Sequence, residues 1–105
     1  MHRSSPPGTA LLLTENGYCG GTDLQSHAGL RYYRTHLDAV WQSIHVDQVP
    51  VLGYTAWSYA DNYEWGSYGP RFGLMAVDRN STKLDRIAKP EAYFYRKVAT
   101  TGCLS

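Results

Sequence analysis

Three carboxylates and a band of aromatic rings carry the chemistry this sequence offers. Between Gly53 and Phe72 the chain reads GYTAWSYADNYEWGSYGPRF, which sets Trp57, Trp65, Tyr54, Tyr59, Tyr63, Tyr68 and Phe72 beside Asp61 and Glu64. Glu15 lies far upstream, in TENG at 14–17. A sugar suits such a mixture. Indole and phenol rings cover the apolar C–H faces of a pyranose, and carboxylates accept hydrogen bonds from its hydroxyls. A plain aromatic core strand running into a loop is the competing reading. The polar residues weigh against it: Ser58, Asp61, Asn62 and Glu64 interleave with the rings. A core strand rarely buries so many polar groups without partners. On the residues alone, Glu15 and Glu64 also make an inviting acid and nucleophile pair.

To act together, these groups need elements that bring residue 15 to residues 57–72. Ala10 to Thr14 is a short apolar run stopped by Asn16-Gly17, and it reads as a strand buried on both faces. A polar, glycine-containing loop follows from Cys19 to Ser26. From His27 to His45 the period changes: Leu30, Tyr33, Leu37, Val40, Trp41 and Ile44 fall at helical spacing, with Arg31, Arg34 and Asp38 opposite. Val51 to Trp57 is a second apolar strand. Leu74 to Val77 is a short extended segment before a turn at Asp78-Arg79-Asn80. Pro90 fits the first turn of a last helix over 90–100, with Glu91 near its positive end. Strands alternating with helices predict an α/β fold with a parallel sheet. In such sheets ligands bind at the carboxyl ends of the strands, which is where Glu15, Trp57 and Glu64 fall. Two strands cannot cover their own faces and edges, so the sequence predicts part of a larger sheet.

The totals exclude several classes. A chain of 105 residues makes one small domain, and a net charge of +1 gives no nucleic-acid footprint. No apolar run approaches the roughly 20 residues of a membrane helix. The start, MHRSSPPGT, lacks the hydrophobic segment of a signal peptide, and residues 1–9 read as a disordered lead-in to a domain over 10–105. Cys19 and Cys103 imply no disulfide framework, and a reduced, cytoplasmic setting is the expectation. His27, His36 and His45 recur every nine residues, so neighbouring members face opposite sides of a helix. No metal site and no cofactor are expected. Asp61-Asn62 lacks the glycine-centred acidic loop of a calcium site, and hydrogen bonds that fix the long loop are its expected role.

Taken together, TENG at 14–17, HLDAV at 36–40, GYTAWSYADNYEW at 53–65, RFGLMAVD at 71–78 and KPEAYFYRKVATTG at 89–102 resemble glycoside hydrolase family 1, the β-glucosidase and β-glycosidase family. The resemblance covers nearly all of residues 10–102. It implies the last two βα units of a (β/α)8 TIM barrel, incomplete in this chain, since a whole barrel needs about 250 residues. It implies a retaining β-glycosidase acting on terminal β-linked glucosides or galactosides. Glu15 matches the family's nucleophile. Trp57 matches the platform under the sugar, Glu64 an acceptor of sugar hydroxyl hydrogens, Trp65 an indole N–H donor to a hydroxyl, and Phe72 a lining residue. The role of Glu64 thus parts from the acid suggested above. The family's acid/base glutamate sits in an Asn-Glu-Pro motif on an earlier strand, and no Asn-Glu-Pro occurs here.

The expected partners are therefore a β-glycoside or oligosaccharide and the N-terminal part of the barrel in trans, with neither nucleic acid nor membrane. Three departures stand out. Gly66 to Pro70 is one residue shorter than the family's spacing, Gly29 replaces a usual arginine, and Pro90 replaces a common capping serine. Two other readings stay open: a non-catalytic sugar-binding or scaffold half of a split enzyme, and an inactive remnant of a truncated gene.

Overall fold

Six elements follow one another: β1 (Leu11–Asn16), α1 (Ala28–His45), β2 (Val51–Ala56), β3 (Met75–Val77), β4 (Arg86–Ala88) and α2 (Pro90–Thr101). The computed structural model describes residues 4–21 and 23–104. Strands β1 and β2 pair in parallel, with Leu11 beside Val51, Leu13 beside Tyr54 and Asn16 beside Ala56. Parallel strands need a crossover connection, and α1 supplies it. β1 runs two residues beyond the expected Thr14, so Glu15 stands inside the strand rather than after it. β3 pairs antiparallel with β4. The sequence reading had no β4, because a three-residue strand is too short to show a period.

The core lies where α1 meets α2. Tyr33 and Leu37 of α1 and Phe94 of α2 are buried together, with Leu30, Tyr54, Ala56 and Tyr95 packed around them. The apolar stripe of α1 continues past this cover, leaving Trp41 and Ile44 exposed. Helix α2 begins with Pro90 at its first position, where the missing N–H has no helical acceptor anyway, and Gly102 ends it at φ +73°. Of the expected lead-in, residues 1–3 lie outside the described residues. Pro6 to Thr9 close a turn, with Thr9 N donating to Pro6 O at 3.2 Å.

Cover is the limiting quantity. Among the described residues, Tyr33, Leu37, Ala76, Val77 and Phe94 form the buried apolar core. Leu12 and Leu52 are 57% and 73% exposed. Both strands stay partly open, as the sequence predicts for part of a larger sheet: the helices cover part of it, and among the described residues no element covers the rest. The molecule measures 51 × 32 × 20 Å, with a radius of gyration of 15.6 Å. A compact domain of this length has a radius of about 13 Å. Open strand edges and bare apolar surface favour association. The 105-residue chain by itself is expected to elute as an oligomer in size exclusion with light scattering. A monomer with a sharp thermal transition contradicts this.

Candidate active site

The carboxyl ends of β1 and β2 are held together by backbone and one buried phenol. Trp57 N donates to Asn16 O at 2.7 Å. Tyr33, 1% exposed, reaches up from α1, and its Oη lies 3.3 Å from both Asn16 O and Trp57 O. Burial pushes the Tyr33 phenol well above its usual range, so it remains a donor. Gly17 follows directly. A Cβ there would collide with the Trp57 carbonyl oxygen and stand 3.3 Å from the Phe72 ring, so the close approach of the two strand ends requires glycine.

Above these ends opens a cleft of about 480 Å³. Glu15, Trp57, Glu64, Trp65 and Phe72 all line it, with Tyr32 and Pro70 completing the wall. The five residues that the family resemblance points to are thus brought to one place, while Asp61, Tyr54, Tyr59, Tyr63 and Tyr68 lie outside the cleft lining. Trp57 Nε1–H donates to Glu64 Oε1 at 2.9 Å, which fixes the indole plane and the carboxylate together. The Trp57–Ser58 peptide bond is cis. Glu64 and Ser67 pair across a tight hairpin, N to O at 2.8 and 3.2 Å. Trp65 and Gly66 form its tip with φ of +49° and +109°, the two positive values that a two-residue hairpin of matching twist demands. Trp65 is fully exposed there. The short Gly66–Pro70 segment still carries Phe72 to the cleft.

The long segment 57–74 owes its shape to Asp61. Its buried carboxylate accepts the Gly73 N–H at 2.8 Å and the Lys89 ammonium at 3.1 Å, and the Arg71 guanidinium lies 3.6 Å away. Asn62 Nδ2 donates to Ser58 Oγ and Ala60 O, both at 3.0 Å. The pair therefore fixes the loop, as its sequence context suggested. Behind this cluster, Glu91 fills the space beside Gly29, so any side chain at position 29 would collide with its carboxylate. Burial raises the Glu91 pKa, against the lowering by its own backbone N–H and by Lys89. A partly open cavity of about 40 Å³ is lined by Glu91, Lys89 and Phe72 among others, room for roughly three waters.

His36 stacks on Tyr32 at 3.9 Å, and His45 lies 4.7 Å from the Trp41 ring. Among the described residues, no group of three or more His, Cys, Asp or Glu is placed to share a metal ion. Sequence reasoning missed Tyr33, Arg71 and Lys89 as supports. The one available signal was a lysine directly before the helix-starting Pro90.

The family model of glycosyl hydrolase family 1 matches residues 6–103. The chain belongs to this family. Myrosinase 1 of Brevicoryne brassicae is 36% identical over 93 residues, which are 88% of this chain and 20% of that protein. The 1,4-beta-D-glucan glucohydrolase of Thermotoga neapolitana is 40% identical over 101 residues, 89% of this chain and 22% of that protein. The structure of an aphid myrosinase superposes with a TM-score of 0.82 at 35% identity, covering 89% of this chain and 20% of that one. This glycosyl hydrolase family 1 chain thus spans about a fifth of the length of these relatives, and its two small sheets form an incomplete portion of their fold.

In this family 1 chain, the Asp61 cluster generates a direct test. Asp61→Asn leaves Lys89 and Arg71 facing a neutral amide, and breaking a buried ion pair costs about 3–5 kcal/mol. Tryptic cleavage after Arg71 is expected to accelerate sharply. An unchanged cleavage rate contradicts the assignment of Asp61 as the anchor of segment 57–74.

Proposed function

We propose that this chain is the C-terminal part of a retaining β-glycosidase, forming the last two βα units of a (β/α)8 barrel. On this reading it supplies the nucleophile and one wall of the sugar pocket. The observation that carries the proposal is the shared cleft, in which Glu15 stands beside the hydrogen-bonded Trp57–Glu64 pair. The family membership supports the reaction class, and the chemistry fits the groups present.

Retention needs a carboxylate that attacks the anomeric carbon and a protonated carboxyl group about 5–5.5 Å from it. Glu15 is the attacking group: its oxygen forms a glycosyl ester as the bond from the anomeric carbon to the leaving oxygen breaks. The leaving oxygen takes its proton from the acid. Water then hydrolyses the ester, and the acid, now a base, accepts the water's proton. Trp57 presents a face for the sugar ring. Glu64, already oriented by the Trp57 indole, accepts from sugar hydroxyls with its free lone pairs. Trp65 offers an indole N–H from the hairpin tip, and Phe72 closes the wall. The substrates are terminal β-linked glucosides or galactosides. The acid belongs to the preceding part of the barrel, so the working partner is that part, in trans or in the same protein.

The test is reconstitution. The lone chain should not hydrolyse an alkyl β-glucoside, since general acid catalysis contributes roughly 10²–10⁴-fold. Mixing it with the N-terminal portion of a family 1 barrel should restore release of an aryl alcohol from an aryl β-glucoside. Glu15→Gln should abolish the restored activity, because the amide cannot form the ester. Hydrolysis of alkyl glucosides by the lone chain, or a Glu15→Gln mixture equal to wild type, overturns the proposal. In the restored enzyme, Trp57→Ala should weaken sugar binding by about 1–3 kcal/mol. Glu64→Gln should lower kcat, because contacts to sugar hydroxyls strengthen in the transition state. Unchanged kinetics in both variants remove the pocket assignment.

A further inference from the structure

The hairpin that carries Glu64 and Trp65 has little of its own to hold it. Its two cross-strand bonds join Glu64 and Ser67, and Trp65 at the tip is fully exposed. Its outer side carries Tyr63 and Tyr68, whose rings meet at 4.9 Å. Arg79, in the turn after β3, places its guanidinium 4.1 Å from the centre of the Tyr68 ring. The same guanidinium donates from Nη2 to the Asp61 carbonyl oxygen at 3.3 Å. One end of this side chain therefore grips the hairpin, and also the backbone of the residue that anchors the whole segment. Arginine suits this double task. Its planar cation stacks on an aromatic face while its N–H groups still donate in the plane.

We propose that Arg79 is the positioning residue of the site hairpin, bracing Tyr68 against the Asp61 carbonyl so that Glu64 and Trp65 stand at the cleft. Arg79 does not line the cleft. It acts through the hairpin, and its importance for sugar binding rests on the role proposed above for Glu64. The brace is nonetheless a statement about the hairpin alone and is testable without any sugar.

The experiment is hydrogen exchange read by mass spectrometry, on this chain within the reconstituted enzyme. Arg79→Ala should raise exchange of the peptide over 62–70 by roughly fivefold or more, the loss of one cation–ring contact and one hydrogen bond. The peptide over 28–45, in α1, should not change. Arg79→Lys, which keeps a cation, should recover part of the protection. If Arg79→Ala loosens the whole chain, Tyr68 gives the second comparison: Tyr68→Phe keeps a ring for the guanidinium and should match wild type, whereas Tyr68→Leu should exchange faster over 62–70. Unchanged exchange in Arg79→Ala overturns the proposal, and so does equal behaviour of the Phe and Leu variants. Hydrolysis of an aryl β-glucoside is measured on the same samples. A loosened hairpin with unchanged KM upholds the brace and counts against the sugar-binding role of Glu64.

Discussion

A single buried carboxylate decides whether this chain has a site at all. The connection between β2 and β3 runs over 57–74, long for a segment whose own regular structure is the short Glu64–Ser67 hairpin. Left to itself it would sample many shapes. Asp61 removes that freedom by joining the Gly73 N–H, the Lys89 ammonium and, more distantly, Arg71. These partners belong to the end of the loop and to the start of α2, so the loop is tied to the helix layer. The charge is compensated where Asp61 is buried, and there an unpaired carboxylate would be costly. Glu64, Trp65 and Phe72 inherit their places from this anchor.

The second constraint is the joint between strand ends. Asn16, Trp57 and Tyr33 meet through 2.7 and 3.3 Å contacts, and Gly17 leaves space that any other residue would fill. This joint brings position 15 to position 57, across a crossover of one helix. The cleft is thus a product of parallel strand pairing, and its two halves come from different strands for that reason. The same topology leaves the sheet open. Leu12, Leu52, Trp41 and Ile44 remain exposed, as expected for a chain that spans about a fifth of its relatives.

Much of the site was legible in the sequence because it is written in residue type and chain position. Glu15 and Trp57 sit where apolar runs end, and Glu64 follows in a stretch too polar for a core. Asp61 was legible as a loop-fixing group for the same reason. Its partner Lys89 was not, since the contact spans 28 residues and no local pattern reports it. Tyr33 reads as one more apolar position in a helical stripe, and only its hydroxyl, aimed at two carbonyl groups, makes it a support. β4 was too short to show a period. The open faces of β1 and β2 were legible too, because apolar composition records what a strand requires and two strands cannot cover themselves. Gly29 read as a departure, yet the structure gives it a local reason in the Glu91 carboxylate that fills its space.

The most direct measurement of the central claim is covalent trapping. A glucoside with an activated aryl leaving group, and with fluorine beside the anomeric carbon, forms the glycosyl ester readily and hydrolyses it slowly. Incubated with the reconstituted enzyme and digested, the chain should show the added sugar mass on the peptide containing Glu15, and on no other peptide. Label on Glu64, on Asp61, or on no residue of this chain while the substrate is still turned over, would contradict the account.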